Sequence, residues 1–330
     1  LGEFELIEQY FRGPAEALRL ARGDAPLGVG DDAALLQVPA GQQLVAALDT
    51  LVEGRHFPAG TAPGSLGHRA LAVNLSDLAA MGAEPAWCLL ALTMPAVDPA
   101  YLQQFSEGLL QLATAHRVAL VGGDTTSGPL SVSVQALGFV PQGLALRRDG
   151  AQPGDLLFVS GTVGDAAAGL ALEQGTAPSA SLDAGQQRWL RQRFLYPTPR
   201  VELGQALRGI ASACIDVSDG LGADAGKLAQ ASGCGATLDV EQLPLSAALR
   251  AQSGEEAARI ALTGGDDYEL CFTIPAADAA GLASRLANVK CAITCIGRIE
   301  KESSVRVVNR GAPVGFDVRG YDHFAGPGRS

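Results

Sequence analysis

Residues 65–82 read SLGHRALAVNLSDLAAMG, and this stretch constrains the chain more than any other. Its spacing predicts a helix. Leu66, Ala70, Leu71, Val73, Leu75, Leu78, Ala79 and Met81 cover most of its circumference. A helix that is apolar nearly all round is buried. Gly82 and then Pro85 supply the stop. Yet Asn74 and Asp77 lie inside it, three residues apart and therefore on one face. A lone buried carboxylate is very costly unless it is protonated, paired or bound to a cation. The rest of the chain has to provide a partner for Asp77.

With 330 residues the chain has room for two domains and ample core. A net charge of −11 with no Lys/Arg-rich block argues against nucleic-acid or anionic-membrane partners. No uninterrupted apolar run reaches the ~18 residues of a membrane span. The first residues, LGEFELIEQYF, lack the basic head and apolar core of a signal peptide. Because the first residue is Leu1, the initiator is expected upstream or altered. Cys88, Cys214, Cys234, Cys271, Cys291 and Cys295 form no CxxC pair, and most lie in apolar segments. They are expected to be reduced, buried thiols of a cytoplasmic protein. No lysine precedes Lys227, so the first two-thirds hold neither a GxxxxGK[ST] phosphate loop nor lysine-based catalysis. His56, His68, His116 and His323 have no metal-ligand spacing.

What the chain has in quantity is aspartate set among glycines. An amphipathic helix is predicted over residues 2–20, followed by GVGDDA at 28–33, which carries Asp31 and Asp32. The strand QLVAALD ends on Asp49, and the loop after it carries Glu53, Arg55 and His56. A strand runs over 86–94, a helix over 98–115 and a short buried strand over 118–121. That strand leads into GGDTTSG at 122–128, which offers backbone N–H groups, three hydroxyls and Asp124 as a phosphate-and-metal cradle. Another strand follows at 130–140. Residues 141–155 read as a linker, with Arg147 and Arg148 together in it. Beyond it come a strand at 155–160, a helix at 165–174, a mobile loop at 175–188, and helices at 189–194 and 201–212. DVSDG at 216–220 then precedes a helix at 221–231, with Asp216 and Ser218 on one side of an extended strand and Asp219 at the helix N-terminus. A strand at 236–240 and a helix at 255–262 follow. GGDDYEL at 264–270 launches a strand through 274. A helix at 276–286, a strand at 292–299 and GYDHF at 320–324 close the chain. This alternation predicts an α/β or α+β protein with a sheet in each half.

Each aspartate taken singly also reads as an ordinary turn residue. Jointly they are harder to dismiss. Two carboxylates ~4 Å apart repel by about 4 kcal/mol at an effective dielectric near 20. Divalent cations relieve that repulsion, and an oxygen-only donor set favours Mg²⁺ over zinc. Mg²⁺ usually bridges carboxylates to substrate phosphates. The residues alone therefore point to Mg²⁺-dependent phosphate chemistry without a Walker loop.

In order and over essentially the whole chain, GEFELI, GVGDDA, NLSDLAAMG, GGDTT, DVSDG, GGDDYEL and GYDHF resemble the thiamine-monophosphate kinase family. The wider superfamily contains aminoimidazole ribonucleotide synthetase, selenophosphate synthetase and a hydrogenase-maturation protein. The resemblance implies a two-domain aminoimidazole ribonucleotide synthetase-like fold, with an N-terminal domain at 1–141 and a C-terminal α/β domain at 142–330. It implies a homodimer whose N-terminal sheets join into a barrel. The implied reaction is direct transfer of the ATP γ-phosphoryl to thiamine monophosphate, with no phosphoenzyme. The resemblance assigns several Mg²⁺ ions to Asp32, Asp49, Asp77, Asp124, Asp216 and Asp219. It assigns nucleotide contacts to Gly123, Asp124, Arg148 and Ser218, and substrate contacts to His56, Asp266 and Tyr321. Two departures stand out: Ala47 and Leu48 replace hydroxyl residues before Asp49, and Asp266 replaces a glutamate.

Two other readings compete. A selenophosphate synthetase carries a reactive Cys with a nearby Lys in a Gly-rich N-terminal segment; here no Cys precedes Cys88 and no Lys precedes Lys227. A catalytically silent nucleotide- or thiamine-phosphate-binding protein would have little reason to keep so many carboxylates.

Overall fold

A computed structural model describes residues 3–177, 181–316, 318 and 320. Its contacts divide the chain into two units, Leu1–Leu78 with Ala83–Gly143, and Ala79–Gly82 with Leu144–Ser330.

The first unit opens with helix α1 (Glu3–Ile7), which passes through a π-helical turn (Glu8–Arg12) into α2 (Gly13–Arg22). Strand β1 (Gln42–Val52), helix α3 (Pro63–Ala80), strand β2 (Glu84–Met94), helix α4 (Pro99–Ala115) and strands β3 (Ala119–Ser127) and β4 (Ser131–Pro141) follow. The sheet order is β1-β4-β2-β3. Strand β4 is antiparallel to both β1 and β2, and β2 is parallel to β3. Strand period-2 alternation sorts the side chains. Cys88, Leu90, Leu92 and Met94 are buried on one face of β2. Helix α3 lies over that side of the sheet, where a Cβ on Gly138 of β4 would touch Leu78 at 3.3 Å. Helix α4 starts at Asp98, whose carboxylate accepts the N–H groups of Ala100 at 2.9 Å and Tyr101 at 3.3 Å.

The opposite face of the sheet is covered in part. Trp87 and Phe139 meet edge-to-face at 4.9 Å within a cluster containing Ala25, Ala119, Val121 and Leu137. Trp87 Nε1 donates to Asp24 at 3.0 Å, and Asp24 pairs with Arg22 at 2.6 Å. Along β1, Leu44 opposes Phe139 and Leu48 opposes Gln135 on this face. Leu44 is 49% exposed and Leu48 64%.

The second unit holds β5 (Leu156–Ser160), α5 (Asp165–Glu173), α6 (Ala184–Leu195), α7 (Val201–Ala206), β6 (Ala213–Asp216), α8 (Leu221–Ala231) and β7 (Gly235–Asp239). It continues with α9 (Ala247–Ser253), α10 (Ala257–Thr263), β8 (Leu270–Ile274), α11 (Leu282–Arg285), β9 (Ile293–Glu300), β10 (Val305–Asn309) and β11 (Ala312–Pro313). The seven strands lie in the order β11-β10-β7-β9-β5-β8-β6, parallel only between β10 and β7. Leu157, Val159, Ile215, Leu228, Leu238, Leu262, Cys271 and Ile296 fill the core. No helix among the described residues is long and apolar enough to cross a membrane.

Several boundaries differ from the sequence expectation. The predicted loop at 175–188 ends early because Asp183 and Gln186 form a capping box that starts α6 at Ala184. The helix predicted at 201–212 stops at Ala206, and that at 276–286 shrinks to α11 behind a 3₁₀ turn (Ala279–Gly281). Strand β3 runs on to Ser127, so the short strand expected over 118–121 takes in GGDTTS as well.

Candidate active site

In the first unit the predicted residues spread along the sheet and its connections. Asn74 is fully buried in α3. Its Oδ1 accepts the N–H of Asp49 at 3.0 Å, and its Nδ2 donates to the Ala70 carbonyl at 3.0 Å. Helix periodicity puts Asp77 one turn further along the face that meets Asp49. The sequence expectation of a fully buried Asp77 is corrected: Asp77 is half-buried, and Asn74 is the group without solvent. Asp49 is also half-buried. His56 is fixed by the turn after β1, where its Nδ1 accepts the N–H of Val52 at 3.0 Å. A ring nitrogen that accepts an N–H carries no proton, so Nε2 is the nitrogen that holds one.

Asp124 is exposed on β3 opposite Ala91. It follows Gly123, whose φ of +155° and close approach to the Leu90 carbonyl leave no room for a Cβ. The β2–β3 register shifts just before, between Cys88 and Leu89. Asp49 and Asp124 therefore do not share a ladder row. Asp49 lies opposite Val134, and Asp124 joins the row of Ala91, Ser133 and Thr50 on the other face. Asp32 is exposed, and its N–H is bonded by Asp31 at 2.8 Å.

In the second unit, the geometry brings two motifs together. The segment 216–220 leaves β6 and runs beside 264–269. Asp266 donates its N–H to Ser218 at 2.9 Å, Tyr268 to Val217 at 2.8 Å, and Val217 to Glu269 at 2.8 Å. Asp216 is 4% exposed at the end of β6; Ser218, Asp219 and Asp266 are half-buried. Tyr268 Oη reaches Asp266 Oδ1 at 3.1 Å. Asp266 and Tyr268 both have left-handed backbone, with φ of +73° and +51°. Such non-glycine conformations cost about 1–3 kcal/mol each and cluster at functional sites. A Cβ on Gly320 would touch Asp219 at 3.1 Å, so the start of the closing motif reaches this corner. Tyr321 itself lies outside the described residues. Arg148 is exposed, beside an Arg147–Asp149 ion pair of 2.5 Å.

Two networks around these segments were not expected from the sequence. Asp224, 1% exposed in α8, accepts the N–H groups of Ser218 and Asp219, each at 2.9 Å. It also takes Lys227 Nζ at 2.7 Å, and Lys227 reaches Asp219 at 2.5 Å. Burial works to lower the Lys227 pKa, but the two carboxylates win and hold it above its ordinary value. Asp267 and Glu269, both fully buried, carry a second network. Glu269 binds Arg193 at 2.8 Å, Arg200 at 2.5 and 2.6 Å and Ser160 at 2.5 Å. The sequence signal for Asp224 and Lys227 was their spacing one helical turn apart, just after DVSDG.

The donors suited to a metal are carboxylate oxygens, which is the chemistry Mg²⁺ prefers. Among the described residues no three His, Cys, Asp or Glu side chains are gathered into a metal-holding group.

Residues 30–140 match the model of the AIR synthase related protein N-terminal domain, and residues 152–309 that of its C-terminal domain. A thiamine-monophosphate kinase of Salmonella typhimurium is 50% identical over 329 residues, 99% of each chain. The crystal structure of thiamine-monophosphate kinase from Stenotrophomonas maltophilia K279a is 48% identical. It matches 95% of this chain and 98% of its own with a TM-score of 0.86. AaThiL complexed with AMPPCP and TMP is 33% identical over 98% of this chain and 97% of its own, with a TM-score of 0.76. These full-length likenesses agree with the two-unit α/β architecture and the paired DVSDG and GGDDYEL segments: the chain belongs to the thiamine-monophosphate kinase family of AIR synthase related proteins.

Proposed function

We propose that this chain transfers the γ-phosphoryl group of ATP to thiamine monophosphate, giving thiamine diphosphate and ADP. The observation that carries this is the 50% identity to a thiamine-monophosphate kinase across 99% of both chains. The AMPPCP and TMP bound by AaThiL supply the matching pair of ligands. In the reaction a phosphate oxygen of thiamine monophosphate forms the new P–O bond as the bond to the ADP oxygen breaks. An ionised phosphate oxygen is already a nucleophile, so positioning and charge neutralisation supply most of the catalysis.

Asp32, Asp49, Asp77, Asp124, Asp216 and Asp219 are the proposed magnesium ligands. The bound ions neutralise the charge of two polyanions that must approach in line. Gly123, Asp124, Arg148 and Ser218 hold the nucleotide in this reading, with the exposed Arg148 guanidinium supplying positive charge. His56, Asp266 and Tyr321 take the acceptor side; His56 offers its Nε2–H as a donor to phosphate. The homodimer belongs to the same reading. Its support is the apolar β1 face, where Leu44 and Leu48 remain open. A cytoplasmic location suits six cysteines that are all free.

Chromatographic analysis of a reaction of the protein with ATP, Mg²⁺ and thiamine monophosphate tests the function. Thiamine diphosphate is the expected product. Its absence at saturating Mg²⁺ with folded protein overturns the reading. Sedimentation of wild type against Leu48→Glu tests the dimer, the variant being expected to run as a monomer.

A further inference from the structure

Residues 264–270 divide their labour by position. Asp266 and Tyr268 lie along 217–218 and carry the left-handed backbone. Asp267 and Glu269, alternating with them, point into the core and are fully buried. Asp267 accepts the N–H of Gly164 at 2.6 Å and of Ala166 at 3.1 Å, which ties the loop to the N-terminus of α5. Glu269 is gripped by Arg193 from α6 and by Arg200 in a two-pronged pair. Arg193 Nη2 also donates to the Asp267 carbonyl at 3.1 Å, so one guanidinium joins both anchors. The Ser160 hydroxyl completes the grip: it donates to Glu269 and accepts the N–H of Leu270 at 2.9 Å.

We propose that Asp267 and Glu269, with Arg193 and Arg200, are positioning residues that hold Asp266 in its left-handed conformation and so set the affinity for thiamine monophosphate. A residue in an unfavoured backbone conformation stays there only where its surroundings over-determine it. Here all four carboxylate oxygens of the flanking Asp267 and Glu269 accept hydrogen bonds, and Tyr268 Oη reaches the Asp266 carboxyl at 3.1 Å. Releasing either anchor lets the 265–268 backbone relax toward ordinary φ values, which moves Asp266 away from Ser218. The effect falls on the acceptor because Asp266 is the residue released, while Ser218 on the nucleotide side is held separately by Asp224, which accepts its N–H at 2.9 Å.

The inference rests on the thiamine-monophosphate reading, and its test separates the two. Wild type is first assayed for thiamine diphosphate; no product there sinks the function. Given product, Asp267→Asn keeps the shape but cannot accept both amides. It is expected to raise the KM for thiamine monophosphate about 10-fold or more while the KM for ATP stays within about twofold, the signature of a misplaced contact. Arg200→Lys, which keeps the charge but loses the two-pronged pair, is expected to split the constants in the same sense. It serves as the measurement if Asp267→Asn does not fold. Unchanged acceptor KM in the folded variants, or equal rises in both constants, overturns the inference.

Discussion

Asn74 in the middle of α3 holds the backbone of Asp49 in β1, its Oδ1 accepting the Asp49 N–H at 3.0 Å. The bond explains why a fully buried amide is tolerated in an apolar helix. Its donor side goes to Ala70 one turn back, and its acceptor side fixes β1 at the residue proposed as a metal ligand; the strand itself runs three residues past Asp49, where the sequence had it end. Asn74→Ala leaves the Asp49 N–H without its acceptor, at a cost of about 1–3 kcal/mol. Urea denaturation reads the loss directly; a midpoint equal to wild type would show that water replaces the amide.

Asp77 is the sharper test of chemistry. It is half-buried, one turn beyond Asn74, so Asp77→Asn removes charge while changing little packing. The expected result is a melting temperature close to wild type with turnover reduced at least ~10²-fold, the scale of losing one transition-state electrostatic element. Wild-type-like turnover rejects the metal role.

How far the sequence carried these conclusions depended on the range of the interaction. The α3 helix, the β2 strand and the α4 helix are local patterns, and they were legible. DVSDG and GGDDYEL were legible as separate motifs, but not as neighbours, because their backbone pairing joins residues near 217 to residues near 267. Arg193 and Glu269 are 76 residues apart, and nothing in either segment announces the other. The extent of β3 was missed for a different reason. Its glycines and hydroxyls look like a loop, but a parallel neighbour with a shifted register makes it a strand. Asp77 was overestimated as buried because helical periodicity gives the face of a residue but not how far along the helix the packing extends.

Asp224 makes a prediction about ranking. Its Oδ2 accepts the N–H groups of both Ser218 and Asp219, and its Oδ1 takes Lys227. Asp224→Asn keeps an oxygen for the two amides and loses the ammonium partner. Asp224→Ala loses both, leaving two donors short of an acceptor at about 1–3 kcal/mol each. Denaturation is therefore expected to rank wild type above Asp224→Asn and Asp224→Ala last. If the two variants are equally unstable, the pair with Lys227 dominates and the amide contacts contribute nothing.

Asp267 makes a prediction about pH. Burial pushes its pKa from 3.8 up to about 7, against the pull of Arg193 and the amides of Gly164 and Ala166. A folded-state pKa above the unfolded one means that folding favours the protonated acid. Its contribution to stability is complete below about pH 4 and is lost as pH rises through about 7. Asp267→Asn cannot titrate and lacks that slope. The melting temperature of wild type relative to Asp267→Asn is therefore expected to fall steadily between pH 5 and pH 8. Parallel curves would mean that Arg193 and the two amides outweigh burial and keep the Asp267 side chain ionised across that range.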